Sequence, residues 1–128
     1  MNKYRILIVD DEEDILEICA DAFADLGHEV ETSDCPLKAV DLLSHDQSFD
    51  LIISDSKMPG LSGQQFFLKV KEIFHGRYPY FFLSTGDLSL NYKQLKEDGI
   101  TDVIMKPYDV DDLVAFVVGN QHLNNEVA

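Results

Sequence analysis

The sequence predicts an α/β fold in which a doubly wound, five-stranded parallel sheet carries helices on both faces. Short apolar runs alternate five times with segments whose apolar residues recur at helical spacing. The runs are too continuous for a sheet with one face in water, so the strands are expected to be buried on both faces. The connections are short, and right-handed crossovers then place helices on both sides of the sheet.

The first two strand-helix repeats differ in polarity. The first strand is the apolar run at 4–9, and the helix after it keeps its apolar spacing up to Leu26. Gly27 is expected to end that helix in a left-handed conformation. The second strand, at 28–32, is more polar and is therefore expected near an edge of the sheet. Pro36 then begins the second helix as a first-turn proline.

The remaining three repeats follow the same pattern. Their strands are the short apolar runs at 51–54, 80–84 and 103–105. The helices predicted after them span about 66–74, 89–98 and 110–118. Pro59 marks the loop before the first of these helices, and Gly99 closes the second, weaker one. Asp109 and Asp112 form a capping signal for the last helix.

The composition fits one compact domain. The chain has 128 residues, of which 45% are hydrophobic, and no apolar run approaches the roughly 20 residues that span a bilayer. No basic-then-apolar leader opens it, so we expect a cytoplasmic protein with no membrane association. Cys19 and Cys35 lack redox or zinc spacing and are expected to be reduced. We assign 1–119 to the domain and 120–128 to a polar C-terminal tail.

The formal charge of −14, from 24 acids against 10 bases, argues against direct binding of nucleic acid or anionic lipid through a general field. It fits a protein that binds cations or a basic patch on a partner. Most of the acids are interpreted as solvated surface. The four histidines have no metal-ligand spacing and are expected at the surface: His28, His45, His75 and His122.

Charged and hydroxyl residues follow four of the five predicted strands. Asp10 and Asp11 follow the first strand, Asp55 the third, Thr85 the fourth and Lys106 the fifth. In parallel sheets of this kind, ligands bind at the carboxyl ends of the strands, beside the point where the strand order reverses. So many charges at one edge are unfavourable unless a divalent cation and a phosphoryl group complete the cluster.

Four fragments carry a family resemblance: Val9-Asp10-Asp11, Asp55-Ser56-Lys57-Met58-Pro59-Gly60, Ser84-Thr85-Gly86 and Lys106-Pro107. In this order, each on its own strand, they resemble the receiver domain of two-component response regulators. The resemblance covers about 3–118. It implies the flavodoxin-like fold of the bacterial chemotaxis regulator, with strand order 2-1-3-4-5.

The resemblance also implies the chemistry of the site. Asp55 would be the nucleophile that takes a phosphoryl group as an acyl phosphate. Lys106 would pair with one phosphoryl oxygen, and Thr85 would donate its hydroxyl to another. The bond between Lys106 and Pro107 is expected to be cis.

The same resemblance implies a Mg²⁺ site. Asp11 and Asp55 would bind the ion directly and Asp10 mostly through water, while the backbone carbonyl of Lys57 would add a ligand. The ion would relieve the repulsion between a carboxylate nucleophile and a phosphoanion.

The predicted function is that of a single-domain response regulator, which is a switch and not an enzyme. It would accept phosphate from a sensor histidine kinase or a histidine phosphotransfer protein, and hydrolyse it slowly. It would signal by relay or by binding an unknown partner, with the helix at 89–98 as the expected contact. Val103 stands where receivers often carry an aromatic residue, so signalling is not expected to use a rotating ring there.

Two alternatives remain. A metal-dependent phosphatase of similar fold would need a second acid two residues after Asp55, where Lys57 stands. A pseudo-receiver would act as a constitutive binding module, but the intact acids, Thr85 and Lys106 argue against it.

Overall fold

A computed structural model describes residues 3–120 of the chain, in which strands and helices alternate from end to end. The strands are β1 Arg5–Val9, β2 Glu29–Ser33, β3 Leu51–Asp55, β4 Tyr80–Thr85 and β5 Asp102–Met105. The helices are α1 Glu13–Asp25, α2 Pro36–His45, α3 Gly63–Phe74, α4 Tyr92–Glu97 and α5 Val110–Val118.

All strand pairs are parallel, and the sheet order is β2-β1-β3-β4-β5, so the predicted fold and topology are confirmed. The polar strand β2 lies at an edge, as its sequence indicated. The order reverses where β1 lies beside β3, with Val9 opposite Ser54 in register. The carboxyl ends of β1, β3 and β4 are therefore adjacent at one edge of the sheet.

Alternating side chains of the sheet form two hydrophobic layers. Phe81 and Leu83 of β4 face one layer, which includes Leu43 of α2 and Phe66 of α3. The intervening Phe82 faces the other layer, which is formed with α1 and α5. Burial on both faces explains why the strands read as continuous apolar runs.

The predicted helix ends are largely confirmed. Gly27 has a φ of +94° after α1, and α2 begins at Pro36. Asp109 and Asp112 form a reciprocal capping box at the start of α5.

The fourth helix is shorter than predicted. It begins at Tyr92 and not near 89, because the carboxylate of Asp87 binds the backbone and hydroxyl of Ser89 in a turn. Asn91 then caps the helix by accepting a hydrogen bond from the backbone of Gln94. These local side-chain bonds compete successfully with helix formation over 89–91.

One histidine expected at the surface is buried. His28 is 7% exposed, stacks on Tyr4 and contacts the edge of Phe23. Its Nδ1 accepts the backbone N–H of Tyr4 at 3.0 Å, and burial lowers the pKa of the ring. The surface prediction for His28 was therefore wrong, because the turn after α1 places this side chain against Tyr4 and Phe23. His45 and His75 are exposed, and His122 lies outside the described residues.

The two cysteines are free thiols, Cys19 buried and Cys35 half-buried. At the carboxyl end, Asn120 is buried and donates its side-chain amide to Asp102, while 121–128 of the predicted tail lie outside the described residues. Among residues 3–120, no helix has the length and apolar character needed to cross a bilayer.

Candidate functional site

Three carboxylates meet at the point where the strand order reverses. Asp10 and Asp11 follow β1, Asp55 ends β3, and one oxygen of each lies within 4.8 Å of the others. Asp10 and Asp55 are 6% and 8% exposed, whereas Asp11 is open to solvent. The sheet topology thus brings together the acids that the sequence placed at separate strand ends.

The buried position of Asp10 disfavours its charged form. Burial raises the pKa of Asp10 to about 6, and the neighbouring charge of Asp55 acts in the same direction. A hydrogen bond from the backbone N–H of Glu12, at 2.9 Å, opposes the shift without cancelling it. A cation among these oxygens would favour the ionised cluster.

One oxygen of Asp55 is fixed by two donors. Oδ1 accepts from Nζ of Lys106 at 3.0 Å and from the backbone N–H of Ser56 at 2.8 Å. Within residues 3–120, Oδ2 accepts no hydrogen bond from another residue. Burial lowers the pKa of Lys106, but its hydrogen bond to Asp55 and the charges of Asp55 and Asp10 outweigh that effect and raise it. The lysine is therefore charged, and it compensates only one of the three carboxylates.

Thr85 ends β4 beside this cluster and is fully buried. Its Oγ1 accepts from the hydroxyl of Ser56 at 2.9 Å and from the backbone N–H of Asp87 at 3.0 Å. Its carbonyl accepts the backbone N–H of Lys106 at 2.8 Å, and the bond from Lys106 to Pro107 is cis, as predicted. Lys57 follows Ser56 in the next loop, where its side chain is exposed.

Two residues of the site were missed from the sequence. The backbone N–H of Ser56 donates to Asp55 and its hydroxyl donates to Thr85. The sequence indicated Ser56 only as part of a family fragment. Gly63 begins α3 directly against the backbone of Asp55. A Cβ there would lie 2.4 Å from the carbonyl oxygen of Asp55 and 2.5 Å from Leu83. The capping pattern of Ser62 and Gln65 was a readable signal that a helix starts here.

The donor set fits Mg²⁺. All three side chains offer carboxylate oxygens, the hard ligands that this ion prefers, and no sulfur or imidazole joins them in the described cluster. One exposed acid leaves room for the water ligands that Mg²⁺ usually keeps.

The family model for the response regulator receiver domain matches residues 6–118. The chain belongs to the response regulator receiver domain family. Members of this family act as signalling switches rather than as conventional enzymes.

Relatives of this receiver domain include full-length regulators. It is 35% identical over 110 residues to the response regulator SaeR of Staphylococcus epidermidis, covering 86% of this chain and 47% of that protein. It is 30% identical over 115 residues to the transcriptional regulatory protein YrkP of Bacillus subtilis, covering 90% and 48%. The chain thus spans about half the length of the curated relatives it matches.

Solved structures show the same fold. The chemotaxis response regulator CheY4 of Vibrio cholerae matches with a TM-score of 0.79 at 27% identity, covering 92% of this chain and 98% of that one. A CheY-like receiver domain protein of Methanospirillum hungatei matches with a TM-score of 0.82 at 25% identity, covering 99% and 100%.

Proposed function

We propose that this receiver domain accepts a phosphoryl group on Asp55 from the phosphohistidine of a sensor kinase or a histidine phosphotransfer protein in the cytoplasm. The observation that carries the proposal is the state of the Asp55 carboxylate. Oδ1 is fixed by Lys106 and Ser56, while Oδ2 has no hydrogen-bond donor within the described chain, and the carboxylate belongs to an acidic cluster with Asp10 and Asp11.

The transfer needs a free carboxylate oxygen. Oδ2 of Asp55 attacks phosphorus, the bond from phosphorus to the donor's histidine nitrogen breaks, and that nitrogen keeps the electron pair. Lys106 pairs with a phosphoryl oxygen, and the hydroxyl of Thr85 donates to another. Later attack of water on phosphorus releases phosphate and restores the carboxylate, which makes the switch reversible.

Asp11 and Asp55 would hold Mg²⁺ directly, Asp10 mostly through water, and the carbonyl of Lys57 would supply a further ligand. The bound ion would supply positive charge that offsets the repulsion between carboxylates and phosphoryl oxygens. Without it, the pocket opposes the approach of a phosphoanion, because Lys106 compensates only one acid.

Exposed apolar side chains around the pocket support a protein donor. These side chains lie on segments that follow the carboxyl ends of strands β1, β2 and β4. They are Ile15 (37% exposed) and Ile18 (52%) of α1, Leu37 (56%) of α2 and Leu88 (85%) after β4.

Replacing Ile18 by Ser should slow transfer from a phosphorylated phosphotransfer protein by about tenfold and leave labelling by acetyl phosphate unchanged. Leu26→Ser, at the far end of α1, is the control; equal slowing by both variants would count against this surface.

The output is proposed to be binding of an unidentified protein or onward relay. The segment around α4 is the surface expected to change, because it follows Thr85 directly. Neither nucleic acid nor a membrane is expected to bind this acidic domain directly.

The deciding experiment is intact mass after incubation with acetyl phosphate and Mg²⁺. The protein should gain one phosphoryl group, which hydroxylamine removes as it does from acyl phosphates. Asp55→Asn should abolish the gain, and a chelator should prevent it. Asp50→Asn, at the opposite end of β3, should label normally. Full labelling of Asp55→Asn would refute the assignment, and an unlabelled wild type would favour a constitutive binding module.

A further inference from the structure

The hydroxyl of Thr85 is arranged so that only its proton is uncommitted. A threonine hydroxyl has one donor and two acceptor lone pairs. Ser56 Oγ and the backbone N–H of Asp87 donate to it at 2.9 and 3.0 Å, so both lone pairs are occupied. Within the part of the chain that the structure describes, no hydrogen bond has Thr85 Oγ1 as its donor, although the residue is fully buried.

A buried donor with no acceptor is unfavourable, so its presence calls for an explanation. Thr85 lies at the carboxyl end of β4, next to β3, and its carbonyl accepts a hydrogen bond from the backbone N–H of Lys106. A phosphoryl group on Asp55 would bring strong acceptor oxygens to these same strand ends. The uncommitted proton of Thr85 is then a donor prepared for that group.

The residue that arranges this hydroxyl is itself held firmly. The backbone N–H of Ser56 is shared between Oδ1 of Asp55 and the carbonyl of Ser84, which is 2.9 Å away. The carbonyl of Ser56 accepts from the backbone N–H of Gly63 at 2.9 Å. Gly63 packs so closely that a Cβ on it would lie 3.0 Å from Cα of Ser56. With its backbone held on both sides, Ser56 presents its hydroxyl from a fixed position.

We infer that Ser56 is a positioning residue for the phosphorylated state. The Ser56 hydroxyl donates to one lone pair of Thr85 Oγ1, and the backbone N–H of Asp87 donates to the other. The proton of the threonine hydroxyl is then available to a phosphoryl oxygen on Asp55. The Ser56 side chain acts through Thr85, and it works as preorganised donors do, by avoiding reorientation when charge arrives. The inference rests on the proposed function, since it concerns the phosphoryl group that Asp55 would carry.

The test uses beryllofluoride, a phosphoryl mimic, titrated into the protein at saturating Mg²⁺. Ser56→Ala should weaken beryllofluoride binding by roughly three- to tenfold, the equivalent of one neutral hydrogen bond. Affinity for Mg²⁺ alone should not change. In a Thr85→Val background the same substitution should have no further effect, because the two residues act as one unit.

Ser54→Ala is the matched control. Ser54 lies on β3, which Ser56 directly follows, is also buried, and donates its hydroxyl to the carbonyl of Asp55 and not to Thr85. It should lower stability without selectively weakening beryllofluoride binding. If Ser56→Ala fails to fold, Ser56→Cys keeps the size with a weaker donor and should give an intermediate loss that again disappears without the Thr85 hydroxyl.

The outcomes separate the two proposals. Equal losses in both backgrounds, or no loss in either, would overturn the role of Ser56 while leaving Asp55 as the phosphoacceptor. A wild-type protein that binds no beryllofluoride, or an Asp55→Asn variant that binds it as well as wild type, would remove both proposals.

Discussion

The two ends of β3 hold similar acids in opposite environments. At the amino end, Asp50 accepts the backbone N–H of Arg5 at 2.7 Å, and the guanidinium of Arg5 binds Asp46 at 2.7 Å and also Ser48. At the carboxyl end, Asp55 shares one lysine with two further carboxylates. At the amino edge, Asp46 and Asp50 each accept a hydrogen bond from Arg5, whereas at the carboxyl edge Lys106 donates to one of three clustered carboxylates.

Proton affinities show the same contrast. Hydrogen bonds from Ser48 and then from Arg5 hold the pKa of Asp46 down at about 2. Burial, aided by the charge of Asp55, raises the pKa of Asp10 to about 6. The environment of Asp46 stabilises its negative charge, whereas that of Asp10 disfavours it. We therefore expect acids at the amino edge to serve the fold and, under the proposed function, acids at the carboxyl edge to bind a cation.

The contrast is tested most strongly at Lys106, the cation that binds Asp55 at the carboxyl edge. Lys106→Ala should still bind Mg²⁺, because it removes repulsion toward the ion and no ligand. It should lose the conformational change that follows phosphorylation, because no ammonium remains to draw in the phosphoryl oxygens. Amide shifts on addition of beryllofluoride are the measurement. Wild type should respond mainly over 56–63 and 85–98, and an identical response in the variant would show this role to be wrong.

Removing an acid should have different consequences at the two edges. Asp11→Ala should weaken Mg²⁺ binding by at least about tenfold, since even indirect partners of metal ligands are worth about 10- to 100-fold. The metal-free fold should be as stable or more stable, because repulsion within the cluster falls. Asp46→Ala should instead lower the melting temperature and leave Mg²⁺ affinity unchanged. Melting curves with and without Mg²⁺ measure both effects. A strongly destabilised metal-free Asp11→Ala would contradict the expected repulsion among the carboxylates.

The two edges should also respond to pH with opposite sign. The folded pKa of Asp10, about 6, lies above its ordinary 3.8, so the metal-free folded protein binds more protons than the unfolded chain between these values. The contribution of Asp10 to stability is therefore present at low pH and is lost as pH rises through about 6. For Asp46 the folded pKa of about 2 lies below 3.8, so its contribution is lost as pH falls below about 4.

Urea denaturation of wild type, Asp10→Asn and Asp46→Asn across this range, in the presence of a chelator, measures the difference. Asp55, Asp11 and Lys106 face Asp10 and are the same in all three proteins. Asp10→Asn should remove a decline in stability between about pH 4 and 6, and Asp46→Asn should remove a rise between about pH 2 and 4. Stability differences from wild type that do not vary with pH would show that neither carboxyl is perturbed.

The smallest effect on signalling is expected inside the sheet, at Val103 of β5. It is 8% exposed and packs in the hydrophobic layer that includes Phe81. Valine is stiff at its first torsion and carries no ring to move between two positions. Val103→Ala should destabilise the fold by about 0.5–3 kcal/mol and leave the beryllofluoride-induced shifts over 85–98 nearly unchanged. Loss of those shifts, with beryllofluoride still bound, would show that Val103 carries the signal.

Much of the molecule was determined by patterns that are local in the sequence. Continuous apolar runs predicted strands buried on both faces, and the polar second strand predicted an edge. The left-handed Gly27, the first-turn Pro36 and the capping box of Asp109 with Asp112 were readable because each depends on neighbours a few residues away. The strand-end positions of Asp10, Asp55 and the other charged residues followed from the same patterns once the strands were taken as parallel.

Only the tertiary structure decided what depends on packing between distant segments. Ser56 and Thr85 are 29 residues apart, and nothing near either residue indicates that their hydroxyls meet. His28 is buried because the turn after α1 places it against Tyr4. Gly63 is required by the backbone of Asp55 and not by its own conformation. The raised pKa of Asp10 likewise arises from burial and neighbouring charge, which the sequence brings near only through the fold. Periodicity and capping act over a few residues and can be read from the sequence, whereas solvent exclusion and close contact across strands exist only after the chain has folded.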